Sequence, residues 1–150
     1  TNSYVAYLFA HDDQIFGAGA DESIIKCGSY TGNGSATGPI ITLGWEPQYL
    51  MVKDTTSTND WFVWDTIRGL PASVANSSAS LNPNLSDAEV NEYGTAPQAR
   101  GFQIQDNNAA INTNTSTYIY IAIRRPMKAP TAGTEVFALA ICKGEYRIDR

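Results

Sequence analysis

The chain has 150 residues, 43% of them apolar, which is single-domain size and enough to bury a core, since a domain of this length hides about 68–70% of its unfolded surface. Fifteen acidic residues against ten basic ones give a net charge of −5. That balance argues against nucleic acid or an anionic membrane as partner, because both call for a concentrated basic surface. No apolar run approaches the roughly 20 residues of a membrane helix, and the N-terminus lacks the layout of a secretory signal, so a soluble chain without membrane insertion is expected.

In chain order, residues 4–10 form an apolar, aromatic run of strand length stopped by His11-Asp12-Asp13. Residues 14–22 are acidic and glycine-punctuated, and a strand pattern resumes over residues 23–30. The polar stretch that follows contains the Asn33-Gly34 turn signal. Residues 40–43 are a short strand broken by Gly44-Trp45-Glu46-Pro47, because proline offers no N–H to a ladder and restrains the residue before it. Two strands then flank a gap of turn formers and short hydroxyls at residues 54–60: the stretch Gly44 to Lys53 on one side, and Trp61 to Gly69 on the other. Residues 70–100 are rich in Ser, Asn, Ala and Pro and read as a long loop, the kind of segment that carries function. Within it the spacing of Ser86 and Glu89 is that of a capping box, which predicts one helical turn starting at Ser86. Residues 101–105 alternate as a half-wet strand, residues 107–117 read as a polar turn region, and Tyr118 to Ile123 is the clearest strand of all.

Cys27 and Cys142 both lie in strand-like contexts, where cysteine behaves as a small buried apolar residue, and are read as free structural thiols. His11 is the sole histidine, so any nucleophilic triad must use it, and its place in a polar turn points instead to a surface residue. Asp12, Asp13, Asp21 and Glu22 match no standard calcium loop, and a solvated acidic turn is the plainer reading. No pair of carboxylates is nominated for glycoside hydrolysis, and no catalytic, cofactor or metal site is assigned.

The aromatic residues are the better functional candidates, because flat amphipathic rings read both sugars and partner surfaces. The strand period puts Trp61, Val63 and Asp65 on one face and Phe62 and Trp64 on the other. Trp61 and Trp64 are therefore the candidate partner or glycan contacts, one facing a core and the other outward, with core packing as the competing role of each. Asp65 and Arg68 are placed to form an ion pair that fixes the turn at Gly69.

Residues 1–8 align without gaps on residues 115–122, an offset of 114, with small polar residues, then Tyr, then a β-branched apolar residue in both copies. Two apolar strands that look alike by chance explain this as well as a tandem arrangement does. In the tandem reading, residues 1–22 are an N-terminal strand and acidic linker ending a preceding repeat unit, and residues 23–150 are the main domain. Residues 4–9 then sit outside that domain's core, packed on a neighbour or exchanged with one.

The order Tyr-Thr-Gly-Asn-Gly-Ser at 30–35, Leu-Gly-Trp-Glu-Pro-Gln-Tyr at 43–49, Val52-Lys53, Trp61 to Gly69 and Tyr-Ile-Tyr-Ile-Ala-Ile-Arg-Arg-Pro at 118–126 resembles a β-rich domain of tailed-phage virion proteins, including tail-fibre proteins of marine phages. The resemblance spans roughly residues 23–137, and the tail beyond departs from it. It implies a multimeric structural module of the virion, with copies of itself and other virion proteins as partners and no catalytic residues to carry over.

The expected fold is all-β, an antiparallel β-sandwich of jelly-roll or lectin-like layout. The expected function is that of a virion structural module assembling through apolar strand faces and edges, with host-surface glycan binding through its loops. A carbohydrate-binding module of a secreted enzyme is the alternative, and a glycan-degrading domain is a third.

Overall fold

A computed structural model describes residues 8–16, 19, 22–70 and 78–124. Its strands are β1 (Ile25–Thr31), β2 (Ile40–Thr42), β3 (Tyr49–Asp54), β4 (Trp61–Asp65), β5 (Ser78–Ser80), β6 (Val90–Glu92), β7 (Thr95–Gln98), β8 (Gly101–Ile104) and β9 (Thr117–Ile123), with one short helix, α1 (Ala109–Asn112). They form an antiparallel four-stranded sheet in the order β1-β9-β3-β4, a three-stranded sheet β2-β8-β7 and a β5-β6 ribbon. A bridge between Val63 and Leu81 ties the ribbon to the free side of β4. The fold is an all-β, sandwich-like one, as the aromatic and β-branched strands predict.

The core lies between the four-stranded and three-stranded sheets. Strand alternation sends Leu50, Val52, Phe62, Trp64, Tyr118, Ala122 and Tyr30 inward from the larger sheet, where they meet Ile41, Phe102 and Ile104 of the smaller one. Aromatic rings join the layers. Tyr30 stacks on Tyr118 at 5.0 Å, while Phe102 sets its ring edge-on to Tyr30 at 6.4 Å and to Tyr120 at 5.3 Å. Tyr120 lies over Gly28, its cross-strand partner, so closely that a Cβ at position 28 would stand 2.6 Å from the phenol oxygen. Gly101 is needed for a similar reason, because a side chain there would run into the Ile41 carbonyl of β2.

Three segments depart from the sequence expectations. Residues 70–100 are not one long loop, since β5, β6 and β7 lie within them. These strands bury Ser78, Ala79, Ser80, Thr95 and Ala96, residues small enough to fit against neighbouring backbone but without the apolar alternation that announces a strand. Pro97 is tolerated because β7 is the edge of its sheet. No helix starts at Ser86, where residues 86–89 are irregular. The helix lies instead in the segment read as a polar turn, where the Asn108 side chain accepts the Ala110 N–H at 2.9 Å and the following residues are Ala-Ala-Ile. Of the first expected strand, residues 4–7 lie outside the described residues and residues 8–10 are irregular.

Asn112 is fully buried and joins two loops to one end of the core. Its amide donates to the Asp106 carbonyl at 2.7 Å, the Ser35 carbonyl at 2.8 Å and Asn33 Oδ1 at 3.1 Å, and its Oδ1 accepts the Asn33 N–H at 2.8 Å. Replacing Asn112 with Ala removes these bonds at a fully buried position, each buried loss costing about 1–3 kcal/mol. Asn112→Ala should therefore lower the urea-unfolding free energy by roughly 2–4 kcal/mol with an unchanged m-value.

Candidate functional site

The hairpin of β3 and β4 carries the predicted site residues, and its two faces separate them. Trp64 is 0% exposed among Leu50, Phe62 and Leu70, which removes it from contact with any partner. Trp61 is half-buried on the opposite face. Its main chain is held by Asn82, which donates to the Trp61 carbonyl at 3.1 Å, and by Asn84 Oδ1, which accepts the Trp61 N–H at 3.0 Å. The ring thereby lines a shallow recess of about 290 Å³ with Met51, Pro83 and Asn84.

That outer face carries large apolar side chains on every strand of the four-stranded sheet. Strand register places Cys27, Ile121, Met51 and Val63 in one row, continued by the bridge from Val63 to Leu81. A second row runs Ile25, Ile123, Tyr49 and Asp65, and a third Ser29, Ile119, Lys53 and Trp61. A sheet with one wet face alternates apolar and polar residues, and this one carries large apolar side chains on both. Burial pushes the Cys27 thiol above its ordinary value, consistent with a structural and unreactive group. Cys142 lies outside the described residues.

The turn between β3 and β4 is fixed by Asp54, whose carboxylate accepts hydrogen bonds from the Thr56 N–H and hydroxyl, the Ser57 hydroxyl and the Asn59 amide. The expected pair after β4 forms, with Arg68 Nε 2.6 Å from Asp65 Oδ2 and the Ile67 and Arg68 N–H groups on Asp65 Oδ1. Gly69 follows at φ 101°. Beside this turn lies an open recess of about 720 Å³ lined by Trp45, Glu46, Gln48, Thr66, Ile67 and Arg124. In the sequence, Trp45 registers as part of a strand break and of the motif that carries the resemblance, and not as a site residue. A tryptophan between glycine and proline at a sheet end was the signal for a ring held in a loop.

The acidic N-terminal cluster disperses into ion pairs. Asp12 lies 3.3 Å from the Lys26 amine, and Glu22 pairs with Arg124. Asp13 is exposed and Asp21 lies outside the described residues. His11 accepts the Cys27 N–H on Nδ1 at 3.0 Å from an exposed position. Among the described residues no group of three or more His, Cys, Asp or Glu is arranged to hold a metal ion.

Burial alone would raise the carboxyls of Asp54 and Asp65. The hydrogen bonds to Ser57, Thr56 and Asn59 in one case, and to Arg68 in the other, more than offset it and hold both below the ordinary 3.8. Both groups release their protons more readily in the folded chain than in the unfolded one. Their contribution to stability is thus complete above about pH 4 and fades as the pH falls through that value and below it. Urea midpoints measured from pH 6 to pH 2 should drop in that acid window, and Asp54→Asn should flatten the drop. Trp64→Ala should cost about 3–5 kcal/mol of stability, as a large buried aromatic does. Trp61→Ala should cost clearly less in the same measurement.

Residues 1–126 match a family described as domain of unknown function DUF7483. No curated protein and no solved structure matches the chain. The match covers most of the sequence, from ahead of β1 to just past β9, so the chain belongs to the DUF7483 family.

Proposed function

We propose that this domain is a non-catalytic structural module of a tailed-phage virion, in a tail fibre or similar appendage, and that it works by assembling with copies of itself and with other virion proteins. The observation that carries the assembly reading is the outer face of the four-stranded sheet, where Ile119 is 40% exposed and Cys27, Ile121 and Met51 form a half-buried row on the side opposite the core. Such a face is stabilised by a covering layer, because burying apolar surface contributes about 25 cal/mol per Å². The virion reading rests on the motif resemblance, whose described segments fall on the end of β1 and the turn after it, on the approach to β3, and on β3, β4 and β9.

Glycan binding, either as host attachment or as the work of a carbohydrate-binding module, is supported by the recess beside Trp45. It combines an aromatic ring with Glu46, Gln48, Thr66 and Arg124 and has the size of a small-ligand site.

Sedimentation velocity should give a discrete multiple of the 16.3 kDa chain mass. Ile119→Asp, at a position 40% exposed on the outer face, should shift it toward the single chain while near-UV circular dichroism is kept. A monomer at tens of micromolar would remove the assembly reading. Soluble oligosaccharides should quench tryptophan fluorescence saturably, and Glu46→Ala should abolish the effect. No response across a broad glycan panel would remove the glycan reading.

A further inference from the structure

We infer that the free edge of β1 accepts residues 4–9 of a second copy as an added strand, so that copies exchange their N-terminal segments. The inference rests on the assembly reading and names one of its contacts.

Among the described residues β1 is the edge of the four-stranded sheet. The Arg124 N–H donates to the Ile24 carbonyl and the Gly32 N–H donates to the Ser116 carbonyl, so Ile24 and Gly32 point their main-chain groups toward β9. By the alternation of an antiparallel ladder, Ile25, Cys27, Ser29 and Thr31 point theirs outward. The base of this outward row is occupied, with the Asp12 N–H on the Ile25 carbonyl at 2.8 Å and His11 Nδ1 on the Cys27 N–H at 3.0 Å. Beyond it, Ser29 and Thr31 are exposed and their main chain has no partner on that side among the described residues. Sheet edges are normally guarded by charge, proline or a bulge, and Ser29 and Thr31 supply none of these.

The occupant is indicated by residues 4–9, Tyr-Val-Ala-Tyr-Leu-Phe, which contain no charge, proline or glycine and suit a strand covered on both faces. They repeat the pattern of β9, the strand β1 already accepts on its other side. Pairing with the chain's own β1 would continue the Asp12 to Ile25 contact and set Leu8 opposite Ser29, covering it. Leu8 is instead 95% exposed and Phe9 46% exposed, so the described end of this segment stands away from its own sheet with its apolar side chains bare. It leaves at Asp12, held at φ 51°, and a short hinge held out of the common backbone regions favours exchange between copies. Main-chain pairing along β1 would then provide affinity, and side chains on alternate faces the selectivity.

The test uses two variants of the full chain. Leu8→Asp spoils the donated segment. Ser29→Pro removes an outward N–H that the ladder to β9 does not use. Each alone should shift the sedimentation profile to a smaller species, raising the dissociation constant by roughly tenfold or more. An equimolar mixture should regain a one-to-one pair, because the intact donor of one variant meets the intact edge of the other. If both variants keep the multimer mass of the original chain, or if the mixture forms no pair, the exchange is refuted while assembly through the outer face stands. An original chain that is itself monomeric refutes both. Leu8 is solvated, so Leu8→Asp decides alone if Ser29→Pro loses its near-UV signal.

Discussion

The rings of Tyr30, Tyr118, Phe102 and Tyr120 are the contact on which the rest of the structure depends. The larger sheet contributes three of them and the smaller sheet contributes Phe102, which meets two at edge-on angles of 77° and 80°. Edge-to-face pairs place the positive rim of one ring against the negative face of another, so they fix orientation as well as burying area. The tyrosines also anchor the end of the sandwich by their hydroxyls. Tyr30 donates to the Ile111 carbonyl, and Tyr118 donates to the Ala109 carbonyl while accepting the Thr113 N–H. The four residues of α1 are held by the core's polar fringe, since a helix that short has little stability of its own.

Polar side chains then decide the shape of the loops. Asn112 and Asp54 are both nearly or fully buried, and each gathers several main-chain and side-chain groups into one arrangement. Asp65 does the same at the turn that opens onto the Trp45 recess. A binding surface supported this way loses little freedom when it is occupied, which favours affinity for a given contact area. The outer sheet face is equally firm, because the hydrogen-bonded ladder beneath it sets the spacing of Ile121, Met51 and Val63.

What the sequence reveals follows from residue size. β1, β3, β4 and β9 were legible because aromatic and β-branched residues repeat at the strand period, and the turns between them because Asn33-Gly34 and Asp54 with its hydroxyl neighbours have few other uses. β5 and β7 were not, because Ser78, Ser80, Thr95 and Ala96 are buried by close approach to other strands and look like loop residues in isolation. The two tryptophans of β4 were correctly put on opposite faces, but which face is core depends on where Phe102 and Ile104 arrive, a tertiary fact. The same holds for β9, a clear strand in the sequence, where only register puts Ile119, Ile121 and Ile123 on the far side of the sheet from Tyr118 and Ala122. Trp45 escaped notice because its recess is assembled from loops far apart in the chain.

The position of β9 has a consequence for how the domain is made. It is the last of the described strands, yet it lies between β1 and β3, with the pair Ile25 and Ile123 closing almost a hundred residues. While the chain leaves the ribosome, β3 and β4 can form a hairpin at once, but β1 must wait with its apolar face unmatched until the segment that separates it from β3 has emerged. Closure over so long a loop is slow, and a waiting strand is a target for the wrong neighbour. Crowded copies on one messenger would therefore need either quick completion or a chaperone to keep nascent β1 from joining another chain before its own β9 arrives.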